Sequence, residues 1–301
     1  MRRALAHVTG QDAGIQPERL GYALWYRNSV ELTRRVAINA LIAGGVGMCV
    51  GAGEYGLAYA RHRLQVLRES LPVSGLPPAL DGLRIGLITD LHHSEMVPLR
   101  DVVSAAALMM DERPDLIVLG GDYISWGDRG YVVPCSEALA RLKAPLGVYA
   151  VLGNHDDDRD MPAALSSKGF EVLRDARTTI IARGEKLELA GVRFWTQRPR
   201  EIARVLRGAG RPLILLAHDP RRLAEAAELD VALVLSGHTH GGQVVLPVVG
   251  AIAARKFPVV AGAGFRSNTS IFVSRGVGTV YLPYRFNCPP DVSILTLARR
   301  A

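Results

Sequence analysis

The chain has 301 residues, 49% of them apolar and 22% charged, which allows a sizeable core and argues against a globally disordered chain. Its net charge of +7 rests on arginine, since lysine occurs only at positions 143, 168, 186 and 256. This balance suits phosphate groups or an acidic membrane surface, although scattered surface arginines give the same total. No block of five basic residues indicates a nucleic-acid tail, and Cys49, Cys135 and Cys288 cannot build a disulfide framework. Unpaired core thiols are expected, with one Cys135–Cys288 bridge left open for an exported domain.

Residues 1–35 read as a basic N-terminal region that ends in the twin arginine Arg34-Arg35. Residues 36–60 follow as an apolar segment. From Val36 to Gly53 it carries no charge, and the small residues Ala58 and Ala60 flank Tyr59 as in a cleavage site. A twin-arginine-type export signal or a retained membrane anchor accounts for this pattern. It places the chain at the inner membrane, with the following domain on the outer side or released after Ala60. A glycine-rich buried helical hairpin is the other reading. Residues 61–82, which include Leu76-Pro77-Pro78, read as a linker.

From Leu83 to residue 301 a single domain is expected. Short β-branched runs, "LRIGLITD", "DLIVLGGD", "GVYAVLGNHD", "PLILLAHD" and "VALVLSGHTH", alternate with helical patterns such as "PLRDVVSAAALMMDER", "CSEALARLK" and "PRRLAEAAEL". This rhythm indicates an α/β fold with buried sheets. Between Glu171 and Thr196 shorter runs suggest an antiparallel meander, and "SIFVSRG", "TVYLP" and "DVSILTLA" read as C-terminal strands. The apolar stretches "VVLPVVGAIAA" and "FPVVAGAGF" are expected to be core strands, with a lipid-facing surface as the alternative.

Each long strand ends in ligand-type residues: Asp90 and His92, Asp122, Asn154 and His155, His218, then His238 and His240. Alone, each has a bland explanation as a turn or capping residue. Together, at the carboxyl ends of strands in an α/β sheet, they should converge. A nitrogen- and oxygen-rich set without thiolates favours Mn, Fe, Zn or Ni, and it exceeds what one tetrahedral ion needs. Two divalent ions sharing a bridging carboxylate use it fully. Such a pair activates a bridging hydroxide for in-line displacement at phosphorus.

These blocks, Asp90-Leu91-His92, Gly120-Gly121-Asp122, Gly153-Asn154-His155-Asp156, Ala217-His218-Asp219 and Gly237-His238-Thr239-His240, resemble those of the calcineurin-like metallophosphoesterases in order and spacing. "GHTHGGQVVLPVVG" and "SRGVG…RFNCPPDVSIL" resemble the membrane-associated, twin-arginine-exported phosphodiesterases, and that subgroup is also similar to UDP-2,3-diacylglucosamine hydrolases. The resemblance implies a four-layer αββα sandwich of two mixed β-sheets behind the N-terminal apolar helix. It implies that Asp90, His92 and His240 hold one ion, that Asn154, His218 and His238 hold the other, and that Asp122 bridges them. His155, oriented by Asp156, would protonate the leaving oxygen or stabilise phosphoryl charge.

The function implied is a dimetal phosphoester hydrolase of the cell envelope, a phosphodiesterase before a phosphomonoesterase, with a lipid or nucleotide-lipid among the candidate phosphoester substrates and the physiological substrate left open. A cytoplasm-facing UDP-2,3-diacylglucosamine pyrophosphatase and a non-catalytic metal-binding scaffold are the alternatives; oligomeric state is left open. Ser125 departs from the pattern of relatives that carry an acidic residue three after the bridging aspartate. His93 is expected in an exposed loop, Asp157, Asp158 and Asp160 in a solvated turn, and Asp219 as a helix cap. Arg266, Arg275 and Arg285 are candidates to meet an anionic substrate.

Overall fold

The computed structural model describes residues 34–300, so the basic region before Arg34 lies outside the described residues. Its contacts divide the chain into a unit ending at Gly51 and a unit from Ala52 to Ala301. The first contains most of helix α1 (Arg34–Glu54), whose Leu41, Ile42, Val46, Met48 and Val50 are exposed. Among the described residues, one helical stretch, Leu41–His62, is long and apolar enough to cross a membrane. The Ala58-Tyr59-Ala60 segment lies inside it, and Ala60 is buried.

Within the second unit the strands are β1 (Gln65–Val73), β2 (Arg84–Ile88), β3 (Leu116–Leu119), β4 (Val148–Ala150), β5 (Glu171–Val172) and β6 (Ala176–Ala182). They continue as β7 (Glu185–Val192), β8 (Leu213–Ala217), β9 (Leu233–Ser236), β10 (Gly262–Arg266), β11 (Thr269–Val273) and β12 (Asp291–Arg299). The helices are α2 (Leu99–Asp111), α3 (Val132–Leu139), α4 (Asp160–Ser167), α5 (Pro199–Leu206) and α6 (Leu223–Glu228).

Two six-stranded sheets form, in the orders β1-β12-β2-β3-β4-β5 and β10-β11-β9-β8-β7-β6. Both are mixed. In the first, only the β12–β2 pair is antiparallel; in the second, β10–β11 and β6–β7 are. The sheets pack face to face through alternate residues, among them Ile85, Leu87, Val118, Leu187, Leu189, Leu216, Leu235 and Phe272, all essentially inaccessible. The opposite faces carry helices. Ile117, Leu119, Ala150 and Ile294 meet α2, α3 and α4, while Val192, Leu215, Val234 and Val273 meet α5 and α6. The expected αββα sandwich is therefore present, and strands apolar on both faces are what such layering requires.

Helix α2 shows why the sequence folds this way locally. Val102, Ala105, Ala106 and Met109 recur at helical spacing and form its buried face, Asp101 sits in its positive first turn, and Pro98 starts it. Two expectations are corrected. The supposed linker over 61–82 contains β1, a nine-residue edge strand paired in parallel with β12, with Leu71 and Val73 fully buried. Pro72 is tolerated because an edge strand has one side free of partners. The stretch "VVLPVVGAIAA" is no core strand: Leu246, Val248, Val249 and Ile252 are exposed in a loop.

Candidate metal centre

The site lies where β2, β3 and β4 of one sheet and β8 and β9 of the other end. Each strand releases its ligand-type residue within a few positions of its last rung, and the facing sheets bring the two sets together. Asp90, His92 and His240 place ligand-type atoms within 4.8 Å of one another, and Asp122, His218 and His238 do the same. Asp122 Oδ2 is 3.1 Å from His218 Nε2 and 3.4 Å from His92 Nε2, so this carboxylate lies between the groups. His240 Nε2 stands 3.4 Å from Asp90 Oδ1 and 3.0 Å from His92 Nε2.

Several buried atoms here lack partners. Asn154 Oδ1 and His218 Nε2 make no hydrogen bond, the latter despite its short approach to Asp122. Buried polar atoms ordinarily find partners, and His240 Nδ1 has none either. A set of converging nitrogen and oxygen donors left in this state fits divalent cations.

Neighbours fix the donor atoms. His218 Nδ1 donates to the Gly120 carbonyl at 2.8 Å, leaving Nε2 facing inward. His92 Nδ1 is 3.2 Å from Ser125 Oγ, so the residue that departs from the acidic pattern orients a ring of the site. Thr89 Oγ1 donates to Asp90 Oδ2 at 2.8 Å, and the His238 amide donates to the same carboxylate at 3.0 Å. The backbone is under strain. Asp90, His92, Asp122, His238 and His240 all have φ between 48° and 71°, a region costing non-glycine residues about 1–3 kcal/mol each.

Close approach explains two glycines. A Cβ on Gly153 would stand 2.0 Å from Asp122 Oδ1, and one on Gly237 would stand 2.2 Å from Asp90 Oδ2.

Charge and burial act in opposition. Burial pushes His218 down, but the Asp122 and Asp90 charges outweigh it and raise its pKa to about 10. Burial would also raise Asp122, yet His218 and His92 hold it well below the usual carboxylate range. His238 falls to about 4, through burial and then repulsion from His218. His155 is lowered from its ordinary value chiefly by burial, with the Asp122 charge opposing.

His155 stands at the mouth of the site. Its ring is 4.9 Å from His92 and 4.5 Å from Trp126, and its Nδ1 accepts from the Trp126 amide at 3.3 Å. The expected role of Asp156 is corrected. Its carboxylate does not reach His155; it accepts from the amides of Asp122, Tyr123 and Gly153 at 2.8, 2.7 and 2.9 Å. It therefore ties the β3 and β4 loops together, and burial followed by the Asp122 charge raises it to about 7.

Other neighbours are structural. His93 is buried rather than exposed, with Nδ1 bonded to the Val97 carbonyl at 2.9 Å and its ring against Tyr131. Asp157 receives the Arg159 and Asp160 amides at the start of α4, and Asp219 caps the turn at Arg221 as expected. Arg285 is fully buried and donates to the carbonyls of Arg275, Gly276, Gly278 and Cys288, which removes it as a substrate contact. Cys135 and Cys288 are free and buried. Trp126 and Tyr281, whose rings pack 5.1 Å apart beside His155, had no motif to betray them.

The model of the calcineurin-like phosphoesterase family matches residues 83–242. The chain belongs to this family. It is thereby a metal-dependent phosphoester hydrolase, of a family whose members generally use a binuclear divalent centre. It is 32% identical over 279 residues to the metallophosphoesterase YkuE of Bacillus subtilis, covering 87% of this chain and 93% of that protein. It is 32% identical over 251 residues to the phosphodiesterase YaeI of Escherichia coli, covering 79% and 87%. A transmembrane protein with a metallophosphoesterase domain from Danio rerio is 29% identical over 263 residues, 81% of this chain and 59% of that protein.

Proposed function

We propose that this metallophosphoesterase is a phosphodiesterase attached to the cell membrane through α1. The observation that carries the reaction is the pair of buried donor groups meeting at Asp122, with Asn154 Oδ1 and His218 Nε2 unpartnered beside it. Asp90, His92 and His240 would hold one divalent ion and Asn154, His218 and His238 the second, with Asp122 available to both. When bound, the ions lower the pKa of a water and offset phosphoryl charge. The native metals, among Mn, Fe, Zn and Ni, follow from donor chemistry only as a group.

The chain's own residues do the rest. Thr89, Ser125 and the Gly120 carbonyl set the orientation of Asp90, His92 and His218. His155, beside the centre, donates a hydrogen bond or a proton to the leaving oxygen. Its Nδ1 accepts from the Trp126 amide, so Nε2 carries the transferable proton in the neutral ring. Asp156 acts through the backbone, by holding the loops of Asp122 and Asn154 in register. A purely non-catalytic scaffold is disfavoured because neither His155 nor any of the donors is missing.

Attachment is supported by the apolar Leu41–His62 stretch and by the transmembrane relative. The twin arginine at Arg34-Arg35 favours export of the domain to the outer side of the inner membrane. Protein stripped of metal and reloaded with Mn should hydrolyse bis(p-nitrophenyl) phosphate, and His155→Ala should lower kcat by about 10²–10⁴-fold. Undiminished turnover in His155→Ala would remove that residue from the mechanism.

A further inference from the structure

The mouth of the metal site is walled on one side by apolar surface. A cavity of about 510 Å³ lies against His238 and His240, bounded by Ile252, Phe257, Tyr281 and Leu282. The loop beyond it closes as a small hairpin, with Leu246 and Gly250 exchanging backbone hydrogen bonds of 3.1 and 2.8 Å. At its tip Val248 is fully exposed, and its φ of 67° is rare for a β-branched residue. Ile252, Tyr281 and Leu282 are 52–71% exposed around the same opening. Single exposed apolar residues are ordinary, but a cluster rimming a cavity marks a surface with a partner.

Two observations identify the partner. Between Asp230 and Asp291 the chain contains no acidic residue, and Arg255 and Lys256, both exposed, follow the hairpin after the short turn Ile252–Ala254. The rim therefore presents apolar side chains beside positive charge, the complement of an anionic lipid interface. The rim is also fastened to the C-terminal part of the apolar Leu41–His62 stretch. Tyr284 donates through its hydroxyl to the Ala52 carbonyl at 3.2 Å, and the Arg285 amide donates to the Gly56 carbonyl at 3.3 Å. Gly56 packs so closely on the Tyr284 ring that a Cβ there would be 2.1 Å from it. Tyr281 and Leu282 are at most about 10 Å of extended chain from Tyr284. These contacts, all within the second unit, set the end of the apolar stretch beside the chain that carries the cavity rim.

We propose that residues 246–256, with Tyr281 and Leu282, form an interfacial surface that seats the mouth of the metal cavity on an anionic bilayer. The apolar wall of the cavity then accepts the hydrocarbon part of an amphiphilic phosphoester entering from that bilayer. The surface rests on the reading of α1 as a membrane anchor and is independent of the hydrolytic assignment.

The test uses the full chain with Cys49→Ser, a fluorophore on Val248→Cys or Leu282→Cys, and reconstitution into phosphatidylglycerol/phosphatidylcholine vesicles containing a lipid-borne nitroxide quencher. Ile181→Cys, exposed on β6, is the control. Quenching should be strong at residues 248 and 282 and weak at residue 181, and Lys256→Gln should lower the docked-to-undocked ratio about fivefold, as expected for loss of one basic group at an anionic surface. Equal quenching at 248 and 181 in protein that resists carbonate extraction would overturn the surface while leaving the anchor intact. Protein that carbonate extracts would instead overturn the anchor, and the surface with it. Val248→Cys chains that crosslink to each other and escape the quencher would assign the rim to a second copy and overturn the lipid assignment.

Discussion

His218 and Asp122 set the charge state of the centre before any ion arrives. With its pKa raised to about 10, His218 is protonated at pH 8, although only a neutral imidazole can ligate a metal. Because this value lies above the unfolded 6.5, the stabilisation of the metal-free fold by this group is fully present below pH 6.5 and is lost as pH rises through 10. Manganese binding at pH 8 should therefore release about one proton per chain from His218. Calorimetry in buffers of different ionisation enthalpy reads this directly, and heats independent of buffer would contradict it. Gly153 carries a separate prediction: its replacement by Ala drives a Cβ against Asp122 Oδ1 and should cost about 1–3 kcal/mol of overpacking, with reduced metal content measured by atomic emission. The convergence of these residues was legible in the sequence because ligand-type side chains at the ends of neighbouring strands must meet at one edge. The bracing by Asp156, the burial of His93 and the Trp126–Tyr281 pair were not, since they depend on backbone amides and on loops distant in sequence.

At the scale of elements, the buried strands were readable because both faces of each are covered, which leaves continuous apolar runs. Strand β1 was not. Its exposed middle residues, Arg68, Glu69 and Ser70, and the proline at position 72 look like linker composition, and only pairing with β12 makes them a strand. Leu71→Ala tests this. A buried leucine in β1 should cost about 2–5 kcal/mol of unfolding free energy in denaturant melts, whereas a change in a linker would cost less than about 0.5 kcal/mol. The loop over 244–257 misled in the opposite direction. Its apolar composition resembles a core strand, but Pro247 and Gly250 break the run, and no sheet edge receives it.

Across the whole molecule, two mixed sheets stacked face to face bring strand ends from distant parts of the sequence to one edge, and the centre exists only there. No single sheet supplies both groups of donors. Asp90, His92 and Asp122 come from the first sheet, while His218, His238 and His240 come from the second. The central claim is that these groups hold two ions with Asp122 shared, and native mass spectrometry of Mn-loaded protein tests it most directly. Two ions should be found on the unsubstituted chain, His240→Ala should retain the ion of the Asp122–His218–His238 group, and Asp122→Asn should lose both occupancy and turnover. Full occupancy and undiminished hydrolysis by Asp122→Asn would contradict the account.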